Sequence, residues 1–240
     1  MNPKDIIKQN RLAYNLIADE FLLKRQYRLD ELRFLEQYLD DGDKILDLGC
    51  GWGRLYQVFA GRSIDYVGAD QSIEPLKIAR KKFPKIKFVR AEMTKLPFHD
   101  GEFDKIFCIN TFHHLLSKDL MLEALREMKR VLTPDGQLIM TNWNLRGGWR
   151  EKKIESKEYK DIGNNNYEIP WKSDLGIVLA KRYYHAFSPL ELKKLLNQAG
   201  FEVKKQYYEK WGNRKKWGKR SNKKDGANIV SVCQPLTSCR

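Results

Sequence analysis

The chain has few of the residues from which disulfide frameworks, metal clusters and membrane spans are built. Its four cysteines, Cys50, Cys108, Cys233 and Cys239, show no C-x-x-C spacing, and two of them fall in apolar runs that read as strands. That pattern excludes a disulfide framework and a zinc knuckle, and suits a reducing, cytoplasmic setting. Histidine is equally sparse, at four in 240 residues, and the adjacent pair His113-His114 has no carboxylate or cysteine cluster beside it. Neighbouring residues do not point at one ion, so no metal is expected. No apolar run approaches the roughly 18 residues of a membrane span, and the charged N-terminus lacks an uninterrupted apolar region. A membrane partner is therefore not expected.

Acid is also in short supply. Asp and Glu number 31 against 45 Lys and Arg, a net charge of +14. The sequence pI is near 9.5. The excess is uneven: between Tyr208 and Lys224 eight basic residues face Glu209 alone, which accounts for half of it. Lysine-rich stretches are commonly solvated faces, but this concentration, with Trp211 and Trp217 inside it, also fits a nucleic-acid contact.

Glycine is concentrated where it counts. Lys44-Ile45-Leu46-Asp47-Leu48 is the short apolar run of a buried parallel strand, and Gly49-Cys50-Gly51-Trp52-Gly53 follows directly before Arg54-Leu55 opens a helix. Such glycines let the backbone turn sharply and approach a ligand, which then meets the N–H groups of the next helix. A dinucleotide loop requires G-x-G-x-x-G, whereas here the third glycine comes one position early and Arg54 stands in its place. Asp47 would crowd a pyrophosphate and suits a cationic amino group, which favours S-adenosylmethionine. Tyr66-Val67-Gly68-Ala69-Asp70 then ends a second strand with an acid about 20 residues beyond the loop, the place of a ribose-hydroxyl acceptor.

Together, Asp47, the alternating glycines and Asp70 resemble the class I S-adenosylmethionine-dependent methyltransferases. The resemblance implies an α/β, Rossmann-like fold: a seven-stranded, mostly parallel sheet of order 3-2-1-4-5-7-6 with helices on both faces. It implies cofactor contacts from Asp47, Gly49, Cys50, Gly51, Asp70, Gln71 and Asn110. Glu92 would accept from the adenine amino group, and the Met93 N–H would donate to the ring. At this length one domain is expected. Residues 1–43 read as two N-terminal helices, 44–142 as the cofactor half, 143–182 as a lid-like insertion, and 183–240 as the substrate-side half with the basic insert 208–224. The fourth strand, Phe103 to Asn110, delivers Asn110-Thr111-Phe112-His113-His114 at its carboxyl end, where ligands of open α/β sheets bind.

A second stretch narrows the family. Arg182-Tyr183-Tyr184-His185-Ala186-Phe187 precedes Ser188-Pro189-Leu190-Glu191-Leu192, which opens a helix with an N-cap serine and an N1 proline. This combination resembles the tRNA wobble-uridine methyltransferases, which esterify the carboxylate of 5-carboxymethyluridine. Tyr14-Asn15-x-Ile17-Ala18-x-x-Phe21-x-x-x-Arg25, the loop from Asn110 to His114, and Asn228-Ile229-Val230 agree with it. A carboxylate is already anionic at neutral pH and needs positioning rather than a base. The expected catalytic group is Arg182, Tyr183, His185 and Asn110, with Arg182 gripping the carboxylate in a fork. Expected substrate contacts are His113, Tyr184 and Trp143, with Trp211, Lys215, Lys216 and Arg220 on the anticodon stem-loop of tRNA. Relatives in eukaryotes work with a small activator protein, a further expected partner. Two other readings stay open at this level: a small-molecule carboxylate or hydroxyl methyltransferase of the same fold, and an inactive cofactor-binding subunit.

Overall fold

The computed structural model describes residues 2–27, 29–210 and 220–236. Two helices open the chain, α1 (Pro3–Leu16) and α2 (Ala18–Arg25), followed by two 3-10 segments, Leu29–Glu31 and Arg33–Tyr38. The cofactor half is β1 (Lys44–Leu48), α3 (Arg54–Phe59), β2 (Asp65–Asp70), α4 (Ile73–Lys82), β3 (Lys87–Arg90), β4 (Phe103–Ile109), α5 (Lys118–Val131) and β5 (Leu132–Trp143). Then come α6 (Gly148–Glu155), β6 (Lys160–Asp161), β7 (Asn166–Lys172), β8 (Val178–His185) and α7 (Pro189–Gln198). The last strands are β9 (Phe201–Lys210), β10 (Arg220–Ser221) and β11 (Gly226–Pro235).

The main sheet has eight strands in the order β10-β9-β11-β5-β4-β1-β2-β3. Strands β1 to β5 pair in parallel, while β11 is antiparallel to both β5 and β9. The expected order 3-2-1-4-5-7-6 is present with β11 as the seventh strand and β9 as the sixth. The eighth, β10, is an added edge formed where Arg220 and Ser221 pair with Glu209 and Tyr208. The sheet divides its core by strand alternation. Leu46, Leu48, Ile106, Cys108, Leu138 and Met140 face the cluster capped by α5 and α7. Ile45, Phe107 and Ile139 face the other cluster, with Phe59 of α3 and Leu76 of α4. Each fully buried aliphatic side chain in such a layer contributes about 1.5–3 kcal/mol, so the two-residue period fixes the register.

A second sheet, β6-β7-β8, is antiparallel throughout and was not expected from the sequence. Strand β8 runs unbroken from Val178 to His185, across the boundary expected at residue 182. Helix α1 packs on β8 of the second sheet and on α4. Its stripe Ile6, Asn10, Ala13 and Ile17 is buried, and Ala13 and Ile17 pack on Trp171 and Ala180 of the second sheet. Asn10 acts as a substitute strand: its Oδ1 accepts from the Tyr183 N–H at 2.8 Å and its Nδ2 donates to the Tyr183 carbonyl at 3.1 Å. Ser188 caps α7 in a reciprocal box with Glu191, as the sequence indicates.

Replacing Asn10 with leucine keeps the apolar stripe but orphans the buried Tyr183 N–H, at a cost of about 1–3 kcal/mol, while the Tyr183 carbonyl keeps its bond from His114. Asn10→Leu is expected to lower the urea midpoint by an amount corresponding to about 1–3 kcal/mol. An unchanged midpoint would show that α1 does not hold β8.

Candidate active site

The turn after β1 is built on close approach. Gly49, Gly51 and Gly53 have φ of +83°, +55° and +81°. The Gly49 and Cys50 N–H groups both donate to the Ala69 carbonyl, at 2.7 and 3.0 Å. A Cβ on Gly49 would lie 2.2 Å from the Thr111 Oγ1, so the loop after β4 can close on the glycine turn only if residue 49 has no side chain. At Gly51, by contrast, a Cβ would meet nothing within 4 Å. It would stand in a groove.

Asp47, Gly49, Cys50, Gly51, Asp70, Gln71, Glu92, Met93 and Asn110 all line that groove, and so do Tyr14, Ala18 and Phe21 of the N-terminal helices and His114. Asp70 accepts from the Gly51 N–H at 2.9 Å and from the Ser72 N–H at 2.8 Å, tying the end of β2 to the glycine turn. Asp47 is 2% exposed and accepts from the Tyr66 hydroxyl. Burial raises its pKa to about 7, with the Asp70 charge adding to the effect. The Gln71 Oε1 is buried without a hydrogen-bond partner among the described residues. Glu92 is half exposed at its side chain and pairs with Arg11 at 3.1 Å. A groove with an open face over Gly51, a buried carboxylate at one end and a spare acceptor beside Asp70 fits an ammonium-bearing nucleoside cofactor.

A second cavity adjoins it. Tyr14, Phe21, Leu32, Arg54 and Asn110 line both, and the second adds Phe34, Thr141, Trp143, Glu31 and three further arginines, Arg25, Arg150 and Arg182. Asn110 sits at the junction with a positive φ of 54°, its N–H donating to the Thr141 carbonyl at 2.9 Å and its Oδ1 accepting from the Thr141 hydroxyl at 3.1 Å. Arg182 is 3% exposed, and its Nε and Nη1 have no hydrogen-bond partner among the described residues. Its guanidinium lies 4.9 Å from the Trp171 ring and 5.4 Å from that of Tyr184. Burial works against the charge, but the hydroxyls of Tyr184 and Tyr14 outweigh it and hold the pKa above the usual guanidinium value.

Strand pleating corrects part of the expected catalytic group. Arg182 and Tyr184 face one side of β8; Tyr183 and His185 face the other, away from Asn110 and into a separate groove. There the Tyr183 hydroxyl donates to Glu168 at 3.2 Å, and His185 lies between Asn166 and Glu191 at 2.6 and 2.8 Å. Tyr184 is fully buried and stacks on Trp143 at 4.8 Å, while the Arg150 guanidinium lies 4.5 Å from the same Trp143 ring. Both groups occupy the faces of that indole, so Trp143 offers the cavity an edge rather than a stacking surface. His113 is also withdrawn: it stacks on Tyr184 at 5.0 Å and accepts from the Trp143 N–H at 3.2 Å.

His114 is the histidine that reaches the groove. Its Nδ1 donates to the Tyr183 carbonyl at 2.8 Å, which leaves Nε2 to accept from the Tyr14 hydroxyl at 2.9 Å. The Tyr14 oxygen in turn accepts from Tyr184 at 3.2 Å. Burial pushes the His114 pKa down to about 4, so the ring is neutral near pH 7. Arg220 is exposed and lies 5.5 Å from the Tyr207 ring. Trp211, Lys215 and Lys216 lie outside the described residues. Among the described residues no group of three or more His, Cys, Asp or Glu is arranged to hold a metal, and no helix is long and apolar enough to cross a membrane.

Comparisons with known proteins bear on this geometry. A family model described as a methyltransferase domain matches residues 45–136. The protein named "Putative methyltransferase" in Encephalitozoon cuniculi is 31% identical over 71% of this chain and 76% of its own length. The chain belongs to the S-adenosylmethionine-dependent methyltransferases. The tRNA (carboxymethyluridine(34)-5-O)-methyltransferase of Schizosaccharomyces pombe is 25% identical, over 82% of this methyltransferase and 90% of that one. The solved structure of an S-adenosylmethionine-dependent methyltransferase from Methanosarcina mazei shares the fold, with a TM-score of 0.69 at 21% identity over 85% of this chain and 97% of that one.

S-adenosylmethionine is thus the cofactor, and the buried Asp47 in the groove is the group expected to meet its ammonium. Below a pKa of about 7 the Asp47 carboxyl takes up a proton and loses its attraction for a cation. Cofactor affinity is expected to rise as pH increases from 6 to 7.5, by up to about tenfold per unit below that pKa, and to level off above it. Calorimetric titration of wild type and Asp47→Asn checks this: the variant binds more weakly and loses the slope.

Proposed function

We propose that this methyltransferase is tRNA-directed and converts the carboxylate of a 5-carboxymethyl wobble uridine to its methyl ester. The observation that carries the reading is the buried Arg182, which lines a cavity that meets the cofactor groove at Asn110 and whose Nε and Nη1 have no hydrogen-bond partner among the described residues. A planar pair of guanidinium donors matches a carboxylate, and in a desolvated site such a charge-assisted pair is strong. Bound S-adenosylmethionine supplies an electrophilic methyl carried on a sulfonium. The carboxylate oxygen forms the new O–CH3 bond as the S–CH3 bond breaks, so no proton moves and no base is needed. The residues agree with that requirement. His114 is neutral, but its Nε2 is already engaged by Tyr14, and the cavity's remaining charged groups are mainly arginines.

What this chain supplies is therefore placement and dryness. Arg182 fixes the acceptor, the rings of Tyr14, Phe21 and Phe34 wall the cavity, and Asn110 holds the junction through Thr141. RNA as the carrier is supported by the name of the fission-yeast relative, by the net charge of +14, and by the basic run that begins at Lys210. An activator protein, as in eukaryotic members of the family, would be a partner on this reading.

Transfer of labelled methyl from S-adenosylmethionine to total tRNA, followed by mild alkali, tests the proposal. Label released by alkali is the expected result, because an ester hydrolyses. Alkali-stable label would place the methyl on a ring or ribose atom, and no label with cofactor binding intact would favour a small-molecule acceptor or a missing partner. Arg182→Met is expected to lower kcat/KM by about 10²–10³-fold, since two hydrogen bonds to a charged acceptor are lost. Cofactor affinity should hold. Methionine keeps the packing on the flanking rings but loses the guanidinium's contact with the Tyr14 hydroxyl, so the split between kcat/KM and cofactor affinity, rather than the thermal midpoint, separates a substrate-binding arginine from a purely structural one.

A further inference from the structure

The largest concavity among the pockets described is the groove on the far side of β8, with a volume of about 1040 Å³. We propose that it holds the phosphate backbone of the RNA next to the nucleoside being methylated, an inference that rests on the tRNA-directed reading above. Three cations line it from three separate elements: Lys118 at the start of α5, Lys160 in β6 and Lys194 in α7. All three are exposed and none forms an ion pair among the described residues. Both carboxylates in the groove are engaged. Glu168 pairs with Lys181 at 2.8 Å and accepts from the Tyr183 hydroxyl; Glu191 bonds His185 at 2.8 Å and closes the α7 capping box. The charge left to a ligand is therefore positive.

The shape and the position fit a nucleic acid strand better than a free anion. Lysines spread over three elements present separate contacts, as successive phosphates require, whereas a single small anion would be met by converging groups. Asn164, in the tight turn before β7, adds a polar contact at the rim, and Tyr183 forms part of the wall. The same strand forms both sites: Arg182 faces the reaction cavity and Tyr183 and His185 face the groove. One sheet layer is about 10 Å thick, a distance that the neighbouring nucleotides of a bound strand can span. The N-termini of α5 and α7, capped by Ser117 and Ser188, open on the same groove and favour negative charge there.

The test uses total tRNA and two triple variants of the full chain. One is Lys118→Ala, Lys160→Ala and Lys194→Ala. The other makes the same change at exposed lysines outside the groove, Lys77, Lys81 and Lys85. With each phosphate contact contributing a slope of about 0.7–0.9 in the salt dependence of affinity, the groove variant should bind tRNA about tenfold more weakly and lose about two from that slope. Its cofactor affinity and thermal midpoint should match wild type, and the outside variant should keep both tRNA affinity and slope. Equal losses in the two variants would overturn the groove as the site and leave a general charge effect. Unchanged binding by the groove variant, with wild type binding well, would overturn it and leave the tRNA reading standing. If wild type itself does not bind tRNA, the tRNA reading falls and the groove proposal with it.

Discussion

The structure depends on one run of hydrogen bonds that holds α1 against β8 and the loop after β4. Tyr184 donates to Tyr14, Tyr14 to His114, and His114 to the Tyr183 carbonyl, while Asn10 takes both backbone groups of Tyr183. Every link is buried or half-buried, where a satisfied polar network is strong and an unsatisfied one is costly. The run joins the N-terminal helix, the loop after β4 and the strand that carries Arg182. Remove that clasp and the cofactor groove loses its cover, the reaction cavity loses a wall, and Arg182 loses the rings that flank it.

The cofactor half was legible because its signals are local. An apolar run, alternating glycines and an acid about 20 residues on lie within one β-α-β unit, and sterics dictate them: Gly49 must lack a side chain because Thr111 is there. The second sheet was not legible for the opposite reason. One of its strands contains Pro170, and their partners are the hairpin itself and α1, so no extended apolar alternation marks them. Taken as a cluster, Arg182 to His185 looked like one site. Taken as a strand, they could only serve two faces. The two histidines diverge, as neighbours on a chain do, but of the pair His113 was expected at the substrate, whereas in the 3-10 turn it is His114 that lines the groove. Asn10 did leave a trace: a polar residue in the apolar stripe Ile6, Ala13 and Ile17 stands at a core position and needs a buried partner.

Charge in the molecule is sorted by solvation. Arginines are placed in the closed cavity and lysines on the open groove, as their chemistry favours: a guanidinium is weakly hydrated and tolerates desolvation against rings, whereas an ammonium keeps its water. Burying Arg182 among Trp171, Tyr184 and Tyr14 costs solvation that the tyrosine hydroxyls offset, while its Nε and Nη1 stay without hydrogen-bond partners among the described residues. Proteins keep such a residue where function requires it. The tight turn at Gly49 has another origin, since it is satisfied by the structure alone.

The pairing of β10 with β9 has a consequence for how this chain can change over generations. Arg220 and Ser221 are held opposite Glu209 and Tyr208, so both ends of the intervening stretch are fixed by backbone bonds that do not depend on what lies between. Doubling the length of a stretch whose ends are already joined adds only about 0.6 kcal/mol of closure entropy. A change in the length of that stretch therefore carries a small closure cost, and selection can act on its length and composition. Descendants of this chain could exchange one partner for another at that edge while inheriting the catalytic floor intact.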